Sequence, residues 1–178
     1  MKNVVIISST PRVNGNSETL AKEFARGASD AGHNVEFIKL RHYNIKYCIG
    51  CYACHKTGKC FQNDGMNEIG AKLLNADVLV LATPVYFYSM SGQLKVFIDR
   101  LVPYYTQINA DIYLIASQWD SNKAIMENTF NAIRGCTKDC LDNCEEKGVL
   151  YGVGLDNVGE AKNNTQYMQQ AYEMGKNV

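Results

Sequence analysis

Four cysteines crowd the stretch YCIGCYACHKTGKC: Cys48, Cys51, Cys54 and Cys60, spaced C-x2-C-x2-C-x5-C. Gaps of two residues let successive thiolates converge from one loop, which suits a metal cluster. A zinc ion, a regulatory disulfide, or free thiols on a loop that only shapes its surroundings are the other readings of the same pattern. A second set, Cys136, Cys140 and Cys144, recurs every fourth residue in FNAIRGCTKDCLDNCEE. On a helix these would form one stripe continuing Ile125 and Ile133, either a metal site or, since buried free cysteine packs as a small hydrophobe, part of the core. No histidine lies nearby to complete four ligands.

Two further segments carry chemistry of another kind. Between Ser8 and Glu18 the chain offers Ser9, Thr10, Arg12, Asn14, Gly15, Asn16 and Ser17 just before a helical pattern. Backbone N–H groups at a helix N-terminus, with hydroxyls, amides and one guanidinium, make a site for a monophosphate. Neither GxxxxGK[ST] nor GxGxxG is present, which disfavours ATP and a Rossmann-bound dinucleotide. The segment TPVYFYSMSG, residues 83 to 92, groups Pro84, Val85, Tyr86, Phe87 and Tyr88, aromatic surface suited to a flat amphipathic ring. Packing in a core or against another subunit is the alternative for the same aromatics. His33, His42 and His55 are scattered singly and read as surface residues rather than general bases.

The elements that must position these segments alternate. VVIISS (4–9), NVEFIKL (34–40), ADVLVLATP (76–84), DIYLIAS (111–117) and VLYGVGL (149–155) read as strands. They are rich in β-branched residues, as strands buried on both faces require. Helical spacing follows each: from Ser17, a plausible N-cap, to a stop near Gly32; from about Met66 to Leu74; over QLKVFIDRLV; after QWDSN; and from about Glu160 to Met174. Five strands alternating with five helices predict a three-layer α/β fold, a doubly wound parallel five-stranded sheet, with the polar and aromatic loops at the carboxyl ends of the strands. No repeat or linker interrupts residues 1–178, so one domain is expected, with the cysteine segment at about 44–64 as an insertion loop.

The sequence resembles the NADPH-dependent FMN reductase and iron-sulfur flavoprotein group of flavodoxin-like proteins. SSTPRVNGNS is similar to the group's phosphate loop S-x-R-x-x-G-N-[ST] at Ser9, Arg12, Gly15, Asn16 and Ser17, with one extra residue after the serine. TPVYFYSMSGQLKVFIDR, residues 83 to 100, resembles its [ST]-P-V-Y…L-K-x-x-[IF]-D-R segment. The resemblance implies strand order 2-1-3-4-5 and FMN with its phosphate on the first loop and its ring against Pro84, Val85, Tyr86, Phe87 and Tyr88. Ser117, Gln118 and Trp119 would approach from the other side. It also implies NAD(P)H as co-substrate, a small-molecule acceptor such as a quinone, and a homodimer or tetramer. The cysteine spacing is similar both to the motif that holds a 4Fe-4S cluster at Cys48, Cys51, Cys54 and Cys60 and to a C-I-G-C-x-x-C-x-x-T-G-x-C form in which the loop carries no cluster. An electron carrier using FMN and such a cluster, without a nicotinamide, is the rival reading.

Composition bounds the rest. Lysine plus arginine and aspartate plus glutamate are 18 each, so no basic field favours nucleic acid. The apolar run Val4–Ile7 is too short for a signal-peptide core or a membrane helix, and seven cysteines without a secretory signal fit a reducing, cytoplasmic setting.

Overall fold

A computed structural model describes residues 1–178. Its centre is three strands with hardly a polar side chain: β1 (Asn3–Ser8), β3 (Val78–Tyr86) and β5 (Asp111–Ser117). They run parallel, Val4 opposite Val78 and Leu79 opposite Ile112, and β2 (Asn34–Lys39) and β6 (Glu145–Gly152) complete the edges. The order is β2-β1-β3-β5-β6, which for the five long strands is the expected 2-1-3-4-5, and the fold is flavodoxin-like. A two-residue strand, β4 (Ser89–Met90), folds back antiparallel on the end of β3, where the sequence suggested only loop.

Alternation along the strands feeds two cores. Val5, Ile7, Leu79, Leu81, Ile112 and Leu114 face α3 (Gly65–Leu73), α4 (Gly92–Asp99) and α5 (Lys123–Thr137). Val4, Ile6, Val78, Val80 and Ile115 face α1 (Asn16–Asp30), α6 (Glu160–Asn163) and α7 (Thr165–Lys176). A short helix, α2 (Ala53–Thr57), lies inside the cysteine loop.

Several boundaries differ from expectation. The cap of α1 is Gly15, not Ser17, which is buried in the first turn. The last strand begins at Glu145 rather than 149, because the exposed start of an edge strand needs no apolar residues. The last helix is broken at Asn164, whose side chain accepts from the Tyr167 N–H and starts α7 anew. The cysteine stripe does not form: α5 ends at Thr137, so Cys140 and Cys144 lie beyond it.

Candidate functional site

At the carboxyl ends of β1, β3, β5 and β6 the loops enclose a groove of about 100 Å³. Arg12, Gly15 and Asn16 form one wall, Pro84, Val85 and Tyr86 a second, and Ser117, Gln118 and Trp119 a third. Nine of the expected residues thus share one rim. Thr10, Leu155 and Asp156 also line it. The last two come from the loop after β6, which offered only a polar GLDNVG as signal.

Local geometry explains the shape of the first wall. Thr10 is buried, and its hydroxyl accepts from the Arg12 N–H at 3.3 Å, folding the loop back. A Cβ at Gly15 would lie 2.7 Å from the Thr10 Oγ1, so that position keeps the turn tight only as glycine. Asn16 bridges to the loop beyond β6, donating to the Asn157 carbonyl at 2.9 Å and accepting from the Ala161 N–H at 3.1 Å. Exposed Arg12 reaches the same loop, donating to the Asp156 carbonyl at 3.1 Å.

Five expected residues stand off the groove. Ser9 is buried beneath it, its hydroxyl bonded to the Ala82 carbonyl and to Ser91, which caps α4. Asn14, with φ +56°, turns its amide oxygen to Lys22. Ser17 is wholly buried one residue beyond Asn16, and its hydroxyl has no partner. Phe87 and Tyr88 form the two-residue tip between β3 and β4 and point to solvent, Phe87 fully exposed. Both have positive φ, +48° and +60°, as a hairpin turn of type I′ requires, although such turns favour asparagine and glycine. Gln118 is buried, donates to the Asp120 and Asn122 carbonyls at 2.9 Å, and leaves its Oε1 without a partner. None of the three histidines lines the groove.

A second, larger cavity of about 740 Å³ lies between the cysteine loop and the ends of α4 and α5. Cys48, Cys51, Cys54 and Cys60 all line it, and Cys136 and Cys140 face it from α5 and the turn after. No cysteine is in a disulfide, and no three potential ligands converge at metal-binding distance. The packing reading holds for Cys136 and Cys144, which lie against the core. Burial, with Cys140 and Cys144 adding to it, pushes the Cys136 thiol up to about 11. Cys136 therefore stays protonated at neutral pH, and thiolate is the reactive form. In iodoacetamide labelling of the metal-free protein at pH 8, followed by mass spectrometry, Cys136 is expected to react slowest and the exposed Cys48, Cys51 and Cys140 fastest.

The comparisons agree with this architecture. Residues 2–121 match the family described as NADPH-dependent FMN reductase. An iron-sulfur flavoprotein of Methanocaldococcus jannaschii is 29% identical across 98% of this chain and 94% of its own length. An iron-sulfur flavoprotein of Archaeoglobus fulgidus is 36% identical over 104 residues, 58% of this chain, and the match spans only 47% of that relative. Among solved structures, an azoreductase from Bacillus anthracis superposes with a TM-score of 0.76 over 100% of both chains at 16% identity. An NAD(P)H:quinone oxidoreductase from Methanothermobacter marburgensis gives 0.73 at 17% identity, covering 99% of this chain and 96% of its own. At such identities the structures speak for the fold, while the match over residues 2–121 speaks for descent: this chain belongs to the NADPH-dependent FMN reductase family.

Proposed function

We propose that the protein is an FMN-dependent oxidoreductase that takes electrons from NAD(P)H and passes them to a quinone, a flavin or another small acceptor. The observation that carries this reading is Gln118 Oε1, a buried polar atom without a partner in the groove wall; the Ser17 hydroxyl, one residue beyond Asn16 of that wall in the first turn of α1, is a second buried atom without a partner. Buried polar groups are almost always hydrogen-bonded, so such orphans fit a missing partner. A phosphate at the α1 N-terminus would take the Ser17 hydroxyl, and a ring imide N–H would meet Gln118.

FMN held by these residues would supply the redox chemistry between a nicotinamide donor and the acceptor. The chain's tasks are to bind and to shield. Arg12 is exposed and free to swing from the Asp156 carbonyl onto phosphate oxygens. Pro84, Val85 and Tyr86 line the groove with a proline-stiffened strand end and one aromatic residue. Exposed Trp119, with Phe87 and Tyr88 at the hairpin tip, offers aromatic surface to a co-substrate or to a second copy closing the open face. Light scattering of the flavin-loaded protein is expected to give a dimer or tetramer. No helix is long and apolar enough to cross a membrane.

Arg12→Ala is expected to weaken FMN binding by about 1–3 kcal/mol, the worth of a charge-assisted bond, as read from quenching of flavin fluorescence. Equal affinity for FMN and riboflavin in the unaltered protein would remove the phosphate site from this reading. Steady-state oxidation of NADH and NADPH tests the activity.

A second reading is favoured by the cavity that the four loop cysteines share. With Cys48, Cys51, Cys54 and Cys60 as ligands, the loop has the donor set for a 4Fe-4S cluster, and the protein would then relay single electrons between FMN and protein partners. Four unpaired thiols on one cavity wall fit such a group, although the loop must tighten to bring them together. A protein that contains iron and acid-labile sulfide yet is inert to both nicotinamides would favour this carrier.

A further inference from the structure

We infer that Arg100 is the positioning residue of the cysteine loop, holding Cys60 in place before any metal arrives so that Cys48, Cys51 and Cys54 close onto it. The inference rests on the reading that this loop takes up an iron-sulfur cluster. Arg100 lies just past α4 and is 2% exposed, an unusual place for a guanidinium.

Its donors reach three points of the loop. Nη1 donates to the Lys46 carbonyl at 2.6 Å, where the segment starts, and to Asp64 Oδ2 at 2.8 Å, where it ends. Nη2 donates to Asp64 Oδ1 at 3.0 Å and to Cys60 Sγ at 3.4 Å. Asp64 completes the closure, accepting from the Lys46 N–H at 3.0 Å and capping α3 through the Met66 N–H at 3.1 Å. Both ends of the loop are therefore tied to one planar cation, and Cys60 is the loop thiol that this cation touches.

The other three ligand candidates have no such anchor. Cys48 and Cys51 are exposed, and Cys54 sits on the five-residue helix α2. Only a guanidinium combines a two-pronged grip on a carboxylate with a further donor to sulfur; a lysine ammonium in the same place lacks the fork. The Arg100 Nε stays buried without a partner, so the side chain is placed for its Nη contacts at some cost. A hydrogen bond and a positive charge on a ligand sulfur also raise a cluster's reduction potential.

The test uses the full chain with Arg100→Met and Asp64→Asn combined. Removing both charges together leaves no bare ion in the interior, and asparagine retains the cap of α3. Circular dichroism and thermal melting establish that the variant is folded, and Arg100→Lys on the unaltered Asp64 is the second variant. Three quantities are read: iron and sulfide bound after anaerobic reconstitution, the midpoint potential of the cluster, and the alkylation rate of each cysteine in the metal-free protein.

In the double variant, affinity for the cluster is expected to fall roughly tenfold, as for other partners that orient a ligand. Its potential shifts to more negative values, and Cys60 alkylates severalfold faster while Cys48 and Cys51 keep their rates. Arg100→Lys restores part of the cluster content but not the Cys60 protection. Unchanged loading, potential and Cys60 rate in the folded double variant would overturn the inference. If the unaltered protein binds no iron, the cluster reading fails by itself, and the Cys60 alkylation rates still decide whether Arg100 positions that thiol.

Discussion

Replacing Gly27 with valine is expected to destabilise the protein by about 3 kcal/mol or more, the upper range for forcing atoms into a packed interior. Helices α1 and α7 touch backbone to backbone. A Cβ on Gly27 would sit 2.1 Å from the Tyr172 carbonyl oxygen and 2.9 Å from the Lys176 nitrogen. On the facing helix, a Cβ on Gly175 would sit 2.0 Å from the Phe24 carbonyl oxygen. Backbone cannot step aside as a side chain does, so the helices must part and uncover Phe24 and Ala28, both fully buried. Because α1 also starts from the loop proposed to hold the FMN phosphate, FMN affinity should fall with stability. Urea denaturation measures the effect, with Gly135→Ala as the control: that position in α5 has open space around it, and alanine there should stabilise by up to about 1 kcal/mol. A Gly27→Val protein with the midpoint of the parent would mean that α1 and α7 are not packed this closely.

Glu18→Gln should cost about 3 kcal/mol at neutral pH, the low end for breaking a buried ion pair, because two of the partners keep access to water. Glu18 is wholly buried in the first turn of α1; Arg41 grips it, Lys22 lies at 2.8 Å and Lys39 at 3.9 Å. Burial pushes its carboxyl up, but hydrogen bonds from Arg41 and Lys22 outweigh that and hold it below the ordinary value. A folded value below the unfolded one, about 4.3, means that the stabilisation is complete above that pH and lost as pH falls through the folded value. Urea titrations from pH 7 to pH 3 should therefore show the parent losing its advantage in acid and the two proteins converging. A constant gap between them across that range would rule out the linkage.

The sheet was legible because its three central strands are buried on both faces. β5 matches its apolar run, 111–117, residue for residue. The β6 edge strand and the broken last helix were less so, since exposed Glu145 to Lys147 and a capping Asn164 leave no hydrophobic trace. At the groove, position after a strand sufficed for Arg12, Gly15, Asn16, Pro84 to Tyr86 and Ser117 to Trp119. Side-chain direction did not follow from it: Asn14 turns to Lys22, Ser9 goes under the loop, and the Phe87–Tyr88 tip swings out because β4 forms a hairpin. The grouping of four loop cysteines was written in their spacing. Their tie to Arg100, 40 residues beyond Cys60, depends on how α4 packs and has no local signature.

The two aromatic residues at the β3–β4 tip set stability against the contact proposed for them. Any selection for heat resistance alone would be drawn to Asn–Gly at positions 87 and 88, since non-glycine residues of this bulk are poorly suited to their left-handed backbone there. A thermostable variant obtained that way would have shed two aromatic rings, so screens on this protein need to score turnover alongside survival.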